Sequence, residues 1–198
     1  MLGRFRPLHK STKALIPINF WLFLTLFLVF GSILPQIQTG AIPTNILTGW
    51  KQYANEEYGY QFYFPPNSSM KPSDDPQPTI LLPIQPKTNL VELSLEISIF
   101  NPNDESTSKA TTDAPSASKE AIVIGPNTFI HEQAGDAGAG NYFDEELFSS
   151  MHGDTTISFH FRIHSVNPDI PEPHLRQFDR HQLDRLIKDI LSTLKWSS

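Results

Sequence analysis

The chain has 198 residues, with 39% apolar and 18% charged residues. That suits one domain plus a short appendage, somewhat poorer in charge than the ~25% usual for a globular protein. Cysteine is absent, which excludes disulfides, thiolate catalysis, Cys-ligated zinc and the lipid-attachment cysteine of a bacterial lipoprotein. Residues 1–13 hold Arg4, Arg6, Lys10 and Lys13 and no acid, so eleven Lys and Arg face 21 acids in the rest, a net of −10 there. A domain this acidic repels nucleic acid and anionic lipid.

Ala14 to Leu34 carries no charge over 21 residues. A helix of about 20 residues crosses a ~30 Å hydrocarbon core. Pro17 falls in its first turn, where a missing N–H costs little. The basic flank comes first, so the positive-inside rule keeps residues 1–13 in the cytoplasm and sends everything after residue 35 across. The apolar block exceeds the ~7–15 residues of a signal-peptide core. The expectation is a retained, single-pass signal anchor in the cell (inner) membrane, then a stalk over residues 35–49. Residues 50–198 form the extracytoplasmic domain.

Trp50 to Asn67 has strand character, with Tyr58, Tyr60, Phe62 and Phe64 at period two until Pro65-Pro66 stops it. Thr79 to Ile84 reads as a short apolar strand. Leu90 to Phe100 gives the cleanest alternation. Val91, Leu93, Leu95, Ile97 and Ile99 point one way, and Glu92, Ser94, Glu96 and Ser98 the other, as in an antiparallel strand with one wet face. Residues 101–120 contain no aromatic or large aliphatic side chain and read as a flexible loop.

Ala121–Ile124 and Thr128–His131 suggest a hairpin around Gly125-Pro126-Asn127. After the glycine-rich run at 134–141, Asn141–Met151 and Asp154–Ser165 read as paired strands around His152-Gly153-Asp154. A proline loop at 167–173 leads to a helix. Asp179 is its N-cap, with Gln182 three residues on as a capping box, and Leu183, Leu186, Ile187, Ile190, Leu191 and Leu194 form one apolar stripe. The expected fold is α+β: an antiparallel sheet with a C-terminal helix packed on its apolar face.

The order of these pieces resembles a known group. WKQYANEEYGYQFYFP, IVIGPNTFIHEQAGDAGAGN, the IHS at 163–165 and FDRHQLDRLIKDILSTLKW are similar to a family of bacterial envelope proteins. The fold of that family is similar to those of PsbP, an extrinsic subunit of photosystem II, and of Mog1. The resemblance implies a PsbP/Mog1-like α-β-α sandwich without catalysis, and it carries over no residue roles.

Two places are candidates for ligands. Gly135, Asp136, Gly138, Gly140 and Asn141 lie in a run whose glycines can bring backbone N–H groups together as an anion nest. A tight crossover capped by Asp136 and Asn141 explains the same residues. The run is neither a Walker A loop nor a dinucleotide fingerprint. His160 and His164 share one strand face and can begin a metal site with His152 or Glu146, although Arg162 between them opposes a cation. The competing reading is a solvated strand face. His131, His174 and His181 are scattered. Of Asp144, Glu145 and Glu146, only Asp144 and Glu146 share a face; a wet edge is their expected setting. No Gly-x-Ser-x-Gly elbow frames a serine, so hydrolase chemistry is set aside.

Two functions fit. The first is a membrane-anchored, extracytoplasmic, non-catalytic interaction domain that assists assembly or stability of an envelope complex. It needs no cofactor, contacts the membrane through residues 14–34 and binds a protein partner. The second is an extracytoplasmic domain for a small anion or metal.

Overall fold

The computed structural model describes residues 48–72, 78–103, 118–169 and 175–197. All of them lie in one of the two compact units of the chain, Thr39–Ser198. The expected cytoplasmic segment, membrane helix and most of the stalk lie outside the described residues, as does most of the loop at 101–120. Among the described residues no helix is long and apolar enough to cross a membrane.

Two sheets and one helix make up the domain. Strands β1 (Lys51–Asn55), β2 (Tyr60–Phe64) and β10 (Lys195–Trp196) form a small sheet in the order β1-β2-β10. Strands β3 (Ser69–Met70), β4 (Thr79–Leu81), β5 (Leu90–Phe100), β6 (Ser118–Ile124), β7 (Asn127–Gly138), β8 (Asn141–His152) and β9 (Thr155–Val166) form a large one. Its order is β3-β4-β5-β9-β8-β7-β6, and every pair is antiparallel. Helix α1 spans Arg180–Ser192.

The stretch read as one strand after Trp50 is a hairpin. The Asn55 side chain accepts from the Tyr58 N–H at 3.1 Å, and Gly59 takes φ +63°, so the chain reverses between β1 and β2. A glycine reaches that left-handed conformation without the Cβ clash other residues meet. Tyr60, Phe62 and Phe64 then all face the core.

The central strands follow their alternation. Leu93, Leu95 and Ile97 of β5 stand opposite Ile163, Phe161 and Phe159 of β9, and all six are buried. Phe159 meets Phe62 of the small sheet edge-on at 5.2 Å, a favoured aromatic geometry. One position departs from the pattern. The register slips between Leu90 and Glu92, which is a β-bulge. Leu90 therefore takes the buried place expected of Val91, and Val91 is 48% exposed.

Helix α1 buries Leu183, Ile187, Ile190 and Leu191 on the same face of the large sheet that the small sheet covers. Asp179 caps it as expected, accepting from the Gln182 N–H at 3.2 Å. The returning half of the capping box is made by another residue: the Asp179 N–H donates to Gln85 Oε1 at 2.8 Å. The Tyr63 N–H donates to Thr193 Oγ1 at 2.8 Å, tying the helix end to β2. The architecture is α+β. Among the described residues this one helix covers one face of the sheet, and the second helical layer of an α-β-α sandwich is not present there.

Candidate interaction groove

Cross-strand register decides which side chains meet under the helix. Residues opposite one another in an antiparallel ladder share a face. Glu120 of β6 stands opposite His131 of β7, and His131 opposite Phe148 of β8. Phe148 faces Phe159, so this whole row lies on the core side. Gln133 and Glu146 form the next row on that side. Glu146 thus sits beneath the helix, only 5% exposed.

A charged network resolves that burial. Glu146 Oε1 contacts the Arg180 guanidinium at Nη2. Arg180 Nε donates to Asp184 Oδ1 at 2.8 Å, and Nη1 lies 4.0 Å from Asp144 Oδ2. His131 lies 3.4 Å from Glu120 through Nδ1 and 3.4 Å from Glu146 through Nε2. Its ring stacks on Phe148 at 4.2 Å. Arg180 is the first residue of the helix, where a cation opposes the helix dipole. Three carboxylates around one guanidinium offset that cost and hold the helix start over β8.

The helix crosses the sheet obliquely. It begins over β8, at Glu146, and ends against the β6–β7 turn, where a methyl group on Gly125 would come 3.0 Å from the Ser192 carbonyl. Two strand spacings, about 10 Å, separate β8 from β6. The result is a tapered groove of about 640 Å³ between the helix and β6, wide at Arg180 and narrow at Gly125. Ile122, Ile124, Phe148 and Ile187 supply its apolar lining; Glu120, His131, Glu146, Arg180, Asp184 and Lys188 supply its charge. Among the described residues no serine, threonine or cysteine lines it.

One wall of the groove is a strand edge. Among the described residues, strand β6 ends the large sheet and pairs with β7 alone. The two-residue turn Gly125–Pro126, with Gly125 at φ +59°, has glycine where a type II′ hairpin requires it. Such a turn makes Ile124 and Asn127 a hydrogen-bonded pair, and pairs alternate along an antiparallel ladder. Lys119, Ala121 and Val123 therefore turn their N–H and C=O groups outward. Val123 is 75% exposed.

Of the residues singled out from sequence, Glu146 lies in the groove, while the glycine-rich run and the His160 and His164 pair lie elsewhere. Gly135, Asp136 and Gly138 belong to β7 and pair with Asp144, Phe143 and Asn141 of β8. The glycine-rich run is thus the arm of a hairpin, and its tight turn is Ala139–Gly140, with φ +51° and +80°. Asp136 accepts from the Ala137 N–H at 2.7 Å. Asn141 donates to the Ala139 carbonyl at 3.3 Å and meets His164 Nε2 at 2.8 Å. These partners are the turn chemistry expected of Asp136 and Asn141.

His160 and His164 share the opposite face of the sheet, but four strand residues separate them by about 13 Å. His160 lies 3.5 Å from Glu145, while His164 stacks on Phe143 at 4.6 Å. His152 stacks on Trp196 at the far end of the sheet, and Glu146 is on the helix side. The residues named for a metal are therefore not brought together. Among the described residues no group of three or more His, Asp or Glu side chains is arranged to hold a metal ion. Asp144 and Glu146 do share a face as expected, but it is the helix-covered face, with Glu146 buried.

No protein-family model matches the chain, and no curated protein matches it. Solved structures with a similar fold include a protein from Bacteroides thetaiotaomicron, with a TM-score of 0.50 at 11% identity over 76% of this chain and 49% of that one. The chain thus spans about half of that protein's length. LpqN of Mycobacterium tuberculosis, described as involved in cell envelope biogenesis, gives 0.42 at 8% identity over 75% and 91% of the two chains. The likeness to the Bacteroides protein is one of fold, and at these identities it transfers no residue role.

Proposed function

We propose that residues 50–198 form a non-catalytic interaction domain of the PsbP/Mog1-like kind, held on the outer side of a bacterial inner membrane by residues 14–34. Its task is to grip a partner protein of an envelope complex, and the groove between β6 and α1 is the gripping surface. The observation that carries this reading is the edge of β6, which no strand among the described residues covers, bordering a groove lined by Ile122, Ile124 and Ile187. Unpaired strand edges invite added strands, and stable domains normally blunt them. Here the last three residues of β6, Ile122-Val123-Ile124, carry no charge.

Site-specific photocrosslinking in cells tests it. A photoreactive residue at Ala121 or Val123 of the full chain is expected to give a discrete protein adduct. The same group at exposed Met70 of β3 serves as the control. Equal labelling from all three positions, or none from β6, refutes the groove as the surface. Reporter fusions at residues 10 and 198 test the membrane arrangement. Activity of a cytoplasm-only reporter at residue 198 would sink it.

A further inference from the structure

The charge of the groove is unevenly placed along its length. At the wide end, Arg180 is already surrounded by Glu146, Asp184 and Asp144. Glu120 adds a further carboxylate, its side chain 65% exposed. Lys188 lies one turn beyond Asp184, toward the narrow end. The wide end is therefore net negative, and the narrow end is walled by Ile122, Ile124 and Ile187.

The side chains of β6 that face the groove are Glu120, Ile122 and Ile124, at period two. A strand added to that edge presents every second side chain to the same face. Antiparallel addition continues the pattern of the whole sheet. It places one incoming side chain opposite Ile124, the next but one opposite Ile122, and the next but one after that opposite Glu120. Complementarity then asks for two apolar residues followed by a cation.

We propose that the occupant of the groove is an extended polypeptide segment that adds antiparallel to β6 and carries the pattern apolar-x-apolar-x-Lys/Arg, its cation meeting Glu120 at the wide end. This deepens the groove reading and rests on it. The backbone contacts come from Lys119, Ala121 and Val123, whose outward N–H and C=O groups form the template. Specificity comes from the three inward side chains of β6.

Two synthetic peptides, Ser-Ile-Thr-Val-Thr-Lys-Ser and the same with Glu in place of Lys, are titrated against the full chain in mild detergent by fluorescence anisotropy. The Lys peptide is expected to bind about fivefold tighter than the Glu peptide, the worth of one exposed ion pair. The variant Glu120→Lys is expected to reverse that preference. Binding is expected to slow hydrogen exchange at the Ala121 and Val123 amides. Binding without charge preference, or a preference that Glu120→Lys leaves unchanged, overturns the proposal. So does binding that leaves those two amides unprotected, or a concentration-dependent dimer that occupies β6 in place of peptide. If both peptides fail while photocrosslinking from Ala121 succeeds, this proposal falls and the interaction groove stands; if crosslinking fails as well, both fall.

Discussion

Arg180→Met is the sharpest test of the network under the helix. It removes the guanidinium that Glu146, Asp184 and Asp144 share. Glu146 is 5% exposed, so its carboxylate is left under the helix with His131 Nε2 at 3.4 Å as its remaining charged-group contact. Breaking a buried ion pair from one side costs about 3–5 kcal/mol. Two features lower that figure. The Arg180 side chain is itself 38% exposed, so water reaches the gap. Removing a cation from the first helical turn also returns a few tenths of a kcal/mol. The expected loss is about 2 kcal/mol. Replacing Glu146 with Gln in the same chain removes the stranded charge, and the double variant Arg180→Met/Glu146→Gln is expected to recover about half of it. Urea unfolding of the full chain in mild detergent, followed by tryptophan fluorescence, reads both from the midpoints at equal slope. A single variant within about 0.5 kcal/mol of wild type, or strictly additive effects of the two substitutions, would show that Arg180 does not carry Glu146.

Three further outcomes follow from the geometry. Leu90→Ala is expected to cost about 3 kcal/mol and Val91→Ala less than about 0.5, because the bulge buries the first and exposes the second; the reverse order in a denaturation series would restore unbroken alternation through β5. Gly125→Ala is expected to cost about 2 kcal/mol, since it combines φ +59° with a Cβ 3.0 Å from the Ser192 carbonyl, and thermal melting without any decrease would contradict the close approach of turn and helix. Burial raises the Asp189 carboxyl above its ordinary value of 3.8. The folded state therefore holds that proton more tightly, and the associated stability is present at acid pH and lost as pH rises through the raised value. Asp189→Asn is accordingly expected to melt slightly higher than wild type at pH 7 and to match it near pH 3. A variant that melts lower at pH 7 would contradict the direction.

Much of the sheet could be read from residue order because β5 and β9 alternate over long stretches and turn residues bound β8 and β9 cleanly. The helix was legible for the same reason, its stripe and its Asp179 cap agreeing. The failures have local causes. Nothing in Leu90-Val91-Glu92 marks an extra residue; the bulge exists only in relation to Ser165 and His164 across the ladder. Tyr58 continues the aromatic alternation of β2, which hid the turn that Gly59 makes. Glycines in β7 have poor strand propensity, yet pairing with Asn141–Asp144 holds them extended, so the run resembled a loop. The groove was the least legible feature. His131 looked isolated because its partners come from β6, β8 and the helix, and only the register of three strands unites them. One clue was available: an arginine directly after the Asp179 cap, against the helix dipole, implies nearby carboxylates.

The small sheet also sets an order of events. Thr193 and Trp196 join β2 across a sequence separation of 130 residues or more: the Tyr63 N–H needs Thr193 Oγ1, and Lys195–Trp196 pairs with Tyr60–Gln61. Contacts this distant in sequence are costly to close and are made late. While the chain is being synthesised, the long hairpin of β8 and β9 can form from local contacts, but β2 keeps a bare edge and Tyr60 lacks Trp196 beside it until residue 196 is free. The small sheet therefore stays incomplete until residues 193–197 are available, and their removal would be expected to leave a collapsed, protease-sensitive chain.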